Sequence, residues 1–359
     1  VTLFKIGNEP KLYDWGSKDL IPALMRTDSN GQPQAEVWLG THHLDPAEVL
    51  DPLGGSLLER IGELPFLVKF LAAAKPLSIQ AHPSRSRAEA MFAAGHPGYQ
   101  DANHKPELIV AISSFEALCG FRDQQAVIAD LAALAEANSI FAPWLESFEA
   151  GGLRAATAWA FQAEDSAVSA LVSKRNQLGP ERAALVENMA EHFGFDVGIL
   201  VSVLMNYVTL KPGQALFLPA GNIHSYISGL GVEVMAASDN VLRGGLTKKP
   251  IDIAELMEVL DFSSLPDPLV STKTLSRGLV EYPVTCQDFS FYQVSPSGQQ
   301  MLVDIELTGS AIITCVAGEL TISNSLDELV TLSPGEAAFM RAAKYFSVTG
   351  SGTGYLAMG

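Results

Sequence analysis

Apolar positions along this chain follow three regimes. Through about residue 120 they fall in short runs broken by turn residues. Glu36-Val37-Trp38-Leu39-Gly40 and Phe66-Leu67-Val68-Lys69-Phe70-Leu71 are rich in β-branched and aromatic side chains and predict strands, as does 108–112. Ser84, after Pro83, caps a predicted helix that runs through Ala94 and stops at Gly95. From residue 123 to 206 the strand signal ceases. Segments 125–137, 164–177, 180–192 and 198–206 are rich in Ala, Leu and Glu, and Val127, Leu131, Leu134 and Ala135 recur at helical spacing. Pro180 suits the first turn of its helix. Strands resume at Tyr207, pause for a helical patch at 252–260 and a Pro- and Ser-rich linker at 263–268, and continue to the end. Leu332-Ser333-Pro334-Gly335-Glu336-Ala337-Ala338-Phe339 echoes Leu210-Lys211-Pro212-Gly213-Gln214-Ala215-Leu216-Phe217. The echo predicts two related β-barrels around a helical insertion.

One stretch carries candidate chemistry. In Lys75-Pro76-Leu77-Ser78-Ile79-Gln80-Ala81-His82-Pro83, Gln80 and His82 are two apart and share one face of an extended strand. Leu77, Ile79 and Ala81 fall on the other face and read as core. A buried polar face needs partners, and a metal ion would supply one. Taken alone, the pair reads more readily as ordinary strand polar residues satisfied by backbone; His224 changes this. Glu107 and His224 are further ligand candidates. The spacing Gly213-x5-Pro219-x-Gly221-x2-His224 is similar to the second motif of cupin barrels, where the His faces a metal. In the first cupin motif a His-x-His supplies two ligands. Gln80-x-His82 stands in its place here, and Glu107 comes from a later strand. One Glu, two His and one Gln leave a divalent ion with a net charge near plus one, a strong Lewis acid. These ligand types suit zinc and leave Fe, Mn and Co open; Gln is an uncommon zinc ligand.

Composition narrows the partners. The 359 residues suit two or three domains, and 48% hydrophobic with 18% charged residues is a globular balance. A net charge of -17 argues against nucleic acid as a partner, and an anionic substrate would need a local basic cluster. Three scattered cysteines give no disulfide framework. The stretch Val1-Thr2-Leu3-Phe4-Lys5 lacks a signal pattern, and the longest apolar run, 197–205, is too short to span a bilayer. The expectation is a cytoplasmic protein with no membrane partner.

The sequence resembles the type I phosphomannose isomerases through several blocks. These are Tyr13-Asp14-Trp15-Gly16-Ser17, Ala35-Glu36-Val37-Trp38-Leu39-Gly40, residues 75–83, His104-Lys105-Pro106-Glu107, Cys119-Gly120-Phe121-Arg122 and residues 231–249. In the last block Lys248 stands where the family has Pro. The blocks cover about the first 260 residues. The resemblance implies one zinc ion per chain held by Gln80, His82, Glu107 and His224, a catalytic Arg243, and interconversion of mannose 6-phosphate with fructose 6-phosphate through a cis-enediol. It implies a mainly β fold of two cupin or jelly-roll barrels plus an α-helical domain. The expected parts are a metal-binding barrel from 1–122 and 207–262, a helical domain at 123–206, and a C-terminal barrel without metal at 263–359.

Within that frame, Glu233, Lys105 and His104 are candidates to move the proton, and Asp239 to hold the Arg243 guanidinium. The bland reading of Lys105 is a solvated lysine, and that of Asp239 with Arg243 is a surface ion pair of little value. Lys75, Ser78 and Lys248 are candidates for the hexose phosphate, with Lys249, Arg85 and Arg87 as further cations. Two rival readings use the same pocket. One is an Fe(II) oxygenase whose facial triad is His82, His224 and Glu107. The other is a sugar-phosphate-binding protein without turnover.

Overall fold

A computed structural model of the chain describes residues 2–50, 52–297 and 302–359. It is mostly β-sheet, with several helices concentrated between residues 123 and 206. Among the described residues there are three sheets, of nine, eight and four strands. They are not closed barrels, so the expected pair of barrels is met only as a sheet-rich architecture.

The nine-stranded sheet is organised by one long strand, His224–Ala236. Its first residues pair with Phe115–Phe121 and Gln80–Ala81. From Gly229 onward it pairs with Phe66–Ala73 and Glu107–Ala111. The changeover falls at Gly229, whose φ is +117°. A Cβ there would stand 2.5 Å from the Ser114 carbonyl oxygen, so only glycine fits. The strands that carry Gln80, Glu107 and His224 thus meet along a single element.

The helical segment differs in detail from the sequence expectation. Helices Gln124–Ala137, Asp165–Lys174 and Pro180–Phe193 lie where the periodicity puts them. The helix Ala142–Gln162 was not expected, because Gly151-Gly152 interrupts its pattern; the two glycines have non-helical angles and kink it. The last helix stops at Val203, since Met205 already begins a strand. Ser84 accepts a hydrogen bond from Arg87 N and caps the helix Arg85–Ala93. Leu20–Met25 and Leu57–Ile61 are short helices the pattern does not predict.

The sequence echo is one turn used twice. Gln214 N donates to Lys211 O at 2.9 Å and Glu336 N to Ser333 O at 3.0 Å. Each turn has Pro and then a left-handed Gly at its centre, Gly213 and Gly335. A strand follows in both cases, Ala215–Leu218 and Ala337–Arg341.

The eight-stranded sheet joins the two ends of the chain. The strand Leu3–Gly7 pairs antiparallel with Ala337–Arg341. Residues assigned by sequence to the first and last parts therefore share a sheet. Behind the Gln80 strand, Ile79 and Ala81 are fully buried in the core of the helical segment, together with Leu242 and Leu246. Leu77 is half-buried against a different cluster.

Candidate metal centre and its surroundings

Three side chains converge at the start of the long strand. His82 and His224 each come within 3.4 Å of Glu107 Oε2 through Nε2. A tetrahedral ion about 2.0–2.1 Å from its ligands separates them by about 3.3 Å, so the spacing fits a single cation. Each imidazole is oriented by a backbone carbonyl. His82 Nδ1 donates to Asn240 O at 2.8 Å and His224 Nδ1 to Asn222 O at 3.0 Å. Both Nε2 atoms therefore carry a free lone pair toward the carboxylate.

His82, Glu107 and His224 are all buried. His82 Nε2 and Glu107 Oε2 have no hydrogen-bond partner. Leaving such atoms unsatisfied costs about 1–3 kcal/mol each, so their facing arrangement suits a metal ligand set. Gln80 lies beside them, its Nε2 3.2 Å from His224 Nε2. A half-turn of the amide exchanges nitrogen for oxygen and gives the group a fourth donor atom.

The electrostatics agree with a ligand role. Burial lowers the His82 pKa to about 4, which keeps the ring neutral. Burial alone would raise Glu107, but the Lys105 ammonium and the two imidazoles hold its carboxyl well below the usual value. Lys105 Nζ is 3.1 Å from Glu107 Oε1. Lys105 is thus buried on the Glu107 carboxylate rather than solvated.

The Leu242–Arg243 strand pairs with Gln80–Ala81, so Arg243 sits opposite Gln80, which is itself opposite His224. Directly opposed residues of neighbouring strands point to one face. Partial burial lowers the Arg243 pKa from its ordinary value.

Asp239 does not hold Arg243. Its Oδ1 accepts from His42 Nε2 at 3.0 Å, and this hydrogen bond lowers its pKa. The surface-pair reading fails with it. His43 stacks on His42, and these two with Asp239 form a second cluster of possible ligands. His42 Nδ1 accepts from Leu44 N at 3.3 Å, so Nε2 carries the proton and the group reads as a His–Asp dyad.

His104 Nε2 lies 2.7 Å from Asp288 Oδ2 and 2.8 Å from Arg85 Nη2, and Arg85 donates to Asp288 Oδ1 at 3.0 Å. Both sequence candidates are thereby engaged by the C-terminal part of the chain. Arg87 gives its fork to Glu255, with Nε to Oε1 at 2.9 Å, which removes it as a phosphate cation. Lys75 and Ser78 are half-buried; Lys248 and Lys249 are exposed.

Glu233 is buried, accepts from Tyr226 Oη at 2.8 Å and lies 3.4 Å from Lys69 Nζ. Burial and the nearby Glu107 charge raise its pKa. Lys69 also reaches Glu36 at 3.4 Å. Burial works against its charge, but Glu36 and Glu233 outweigh that and raise its pKa. The sequence alone does not single out Lys69, whose ammonium links Glu36 and Glu233 beside the candidate site. The signal was a single charge inside the apolar run 66–71.

The family model for the catalytic domain of type I phosphomannose isomerase matches residues 3–124. Mannose-6-phosphate isomerase of Escherichia coli K12 is 35% identical, covering 98% of this chain and 98% of its own length. The Rattus norvegicus enzyme of the same name is 31% identical over 87% of this chain and 89% of its own. A crystal structure of a phosphomannose isomerase mutant from Salmonella typhimurium superposes with a TM-score of 0.91 at 32% identity, covering 100% of this chain and 99% of that one. A mannose 6-phosphate isomerase bound with zinc and yttrium superposes at 0.90 with 32% identity, again covering 100% and 99%.

Proposed function

The chain belongs to the type I phosphomannose isomerase family, and on that premise we propose that it interconverts mannose 6-phosphate and fructose 6-phosphate. The reaction moves one hydrogen between C2 and C1 and shifts the carbonyl in the opposite sense. A base takes the C2 proton of the open-chain aldose as the C1 oxygen gains one. The resulting cis-enediol then loses a proton from the C2 oxygen and regains one at C1.

Gln80, His82, Glu107 and His224 are the residues that would hold one zinc ion. When bound, the ion supplies Lewis-acid stabilisation to oxygen charge that grows in the transition state. Arg243, in register with Gln80, offers a second, planar cation to the same oxygens. Lys105 keeps Glu107 ionised, and so keeps the ligand set competent. Glu233 and Lys105 stand as the groups for the carbon-bound proton. His104 serves better as an anchor, since its Nε2 is already held between Asp288 and Arg85. Lys75, Ser78 and Lys248 remain the proposed phosphate contacts. On the scale of domains, we retain a metal-bearing part from 1–122 and 207–262 built on a cupin-like plan, with 123–206 and 263–359 packed around it.

One observation carries this reading: His82 Nε2 and Glu107 Oε2, both buried and without hydrogen-bond partners, face a common centre with His224. The test is a coupled assay on mannose 6-phosphate before and after chelation, with zinc then restored. Turnover that is lost and regained is expected. Full turnover after the metal is stripped would sink the metal role. Oxygen uptake on adding Fe(II), with no isomerisation, would replace the reading by an oxygenase.

A further inference from the structure

We infer that Asp196, in the helical segment, is a positioning residue for Arg243; the inference rests on the role just proposed for that arginine. The residues after Arg243 form a tight loop. On one side it is tied to the ligand strand, with Gly244 N donating to Ile79 O at 2.7 Å and Ile79 N to Gly245 O at 3.0 Å. On the other side it meets the loop before the helix Gly198–Val203. Asp196 Oδ1 accepts from Leu246 N and from Gly198 N, both at 2.7 Å, and Oδ2 accepts from Thr247 N at 3.3 Å.

The loop's backbone explains why a carboxylate is needed. Leu246 is buried and has a left-handed φ of 53°, a conformation non-glycine residues avoid. Successive N–H groups around such a residue converge and form a nest for an anion. Asp196 fills this one from a neighbouring element. The approach is backbone on backbone. A Cβ on Gly245 would stand 2.5 Å from Gly198 Cα, and one on Gly198 would stand 2.8 Å from Leu246 N. Asp196 therefore holds a strained loop closed only a few residues beyond Arg243. Gln80 fixes the register on one side and Asp196 fixes the chain's path on the other. A displacement of about 1 Å in a charge-stabilising group can cost a hundredfold in rate.

The test is a double-mutant cycle between Asp196→Ala and Arg243→Ala, read as kcat, KM, bound zinc and melting temperature. Asp196→Ala is expected to lower kcat by roughly tenfold to a hundredfold, with KM within about threefold and zinc content full. In the Arg243→Ala background the same change should cost no more than about twofold, because the group it positions is gone. Asp196→Asn keeps an acceptor without the charge and should fall between; it also serves if Asp196→Ala does not fold. Equal losses in both backgrounds, or wild-type kcat for both Asp196 variants, would overturn the inference while leaving the Arg243 role standing. Wild-type turnover for Arg243→Ala alone would instead remove the Arg243 role, and this inference with it.

Discussion

Each imidazole of the candidate metal centre is oriented by the protein itself. The carbonyls of Asn240 and Asn222 take the Nδ1 protons and leave both Nε2 atoms aimed at Glu107. His224→Ala removes a proposed ligand and only two local contacts, to Asn222 O and to Gln80. We expect it to lose bound metal and turnover together while its circular dichroism stays that of the parent. A variant that kept a full equivalent of zinc would remove His224 from the ligand set. Arg243 is argued on a different footing. A cation that meets charge only as it develops lowers the barrier without tightening substrate binding. Arg243→Ala should therefore cut turnover by roughly a hundredfold or more, the scale of one lost oxyanion donor, with KM much less changed. Arg243→Lys should recover part of the loss, since a point charge cannot copy the guanidinium fork. A raised KM with turnover intact would make Arg243 a phosphate clamp instead.

Among the elements, the strand His224–Ala236 does the most organising, because four other strands pair with it. The helices do a second job. Their core includes Ile79, Ala81, Leu242 and Leu246, the apolar backing of the Gln80 strand and the Arg243 loop. Where the helices begin is set by a cap. Asp123 Oδ1 accepts from Gln125 N at 3.0 Å and Ala126 N at 3.2 Å. Asp123→Ala should lower stability by about 1 kcal/mol in a denaturant titration. Zinc content should not change, because the cap touches no ligand. A loss of metal in that variant would show the helical segment to be coupled to the site more tightly than its packing indicates.

Across the whole molecule, the first strand is fastened to the last third of the chain. Glu328 accepts from Thr2 N, Thr2 Oγ1 and Leu3 N at 2.6–3.0 Å, and from Asn324 Nδ2 at 2.9 Å. Burial alone would raise its pKa, but the Thr2 and Asn324 hydrogen bonds lower it from 4.5 to about 2. The folded state thus binds its proton less readily than the unfolded chain. The stability it gives is present above pH 4.5 and is lost as pH falls through about 2. Water screens this partly exposed group, so about 1 kcal/mol is a fair size for the effect. Glu328→Gln should lower stability by that amount at neutral pH and flatten the acid side of the profile. An unchanged acid limb would mean that this clasp does not link the two ends. A second clasp, from Asp288 to His104 and Arg85, ties the same third of the chain to the segment that carries Lys105 and Glu107.

The sequence by itself determined what depends on near neighbours. The period of apolar residues marked most of the longer helices and several strands, Ser84 announced its helix, and the i, i+2 spacing put Gln80 and His82 on one face. The repeated Pro-Gly turn was visible because its cause lies within four residues. Only the tertiary structure decided which charges meet. Asp239 turned to His42 and not to Arg243, His104 to Asp288, and Arg87 to Glu255. Lys69 gained its place between Glu36 and Glu233, and Asp196 its hold on Leu246 and Thr247. These partners stand far apart along the chain. A charged side chain takes whatever opposite charge or backbone donor the fold brings within hydrogen-bond reach, and that distance is set by the packing of strands and helices rather than by any local pattern.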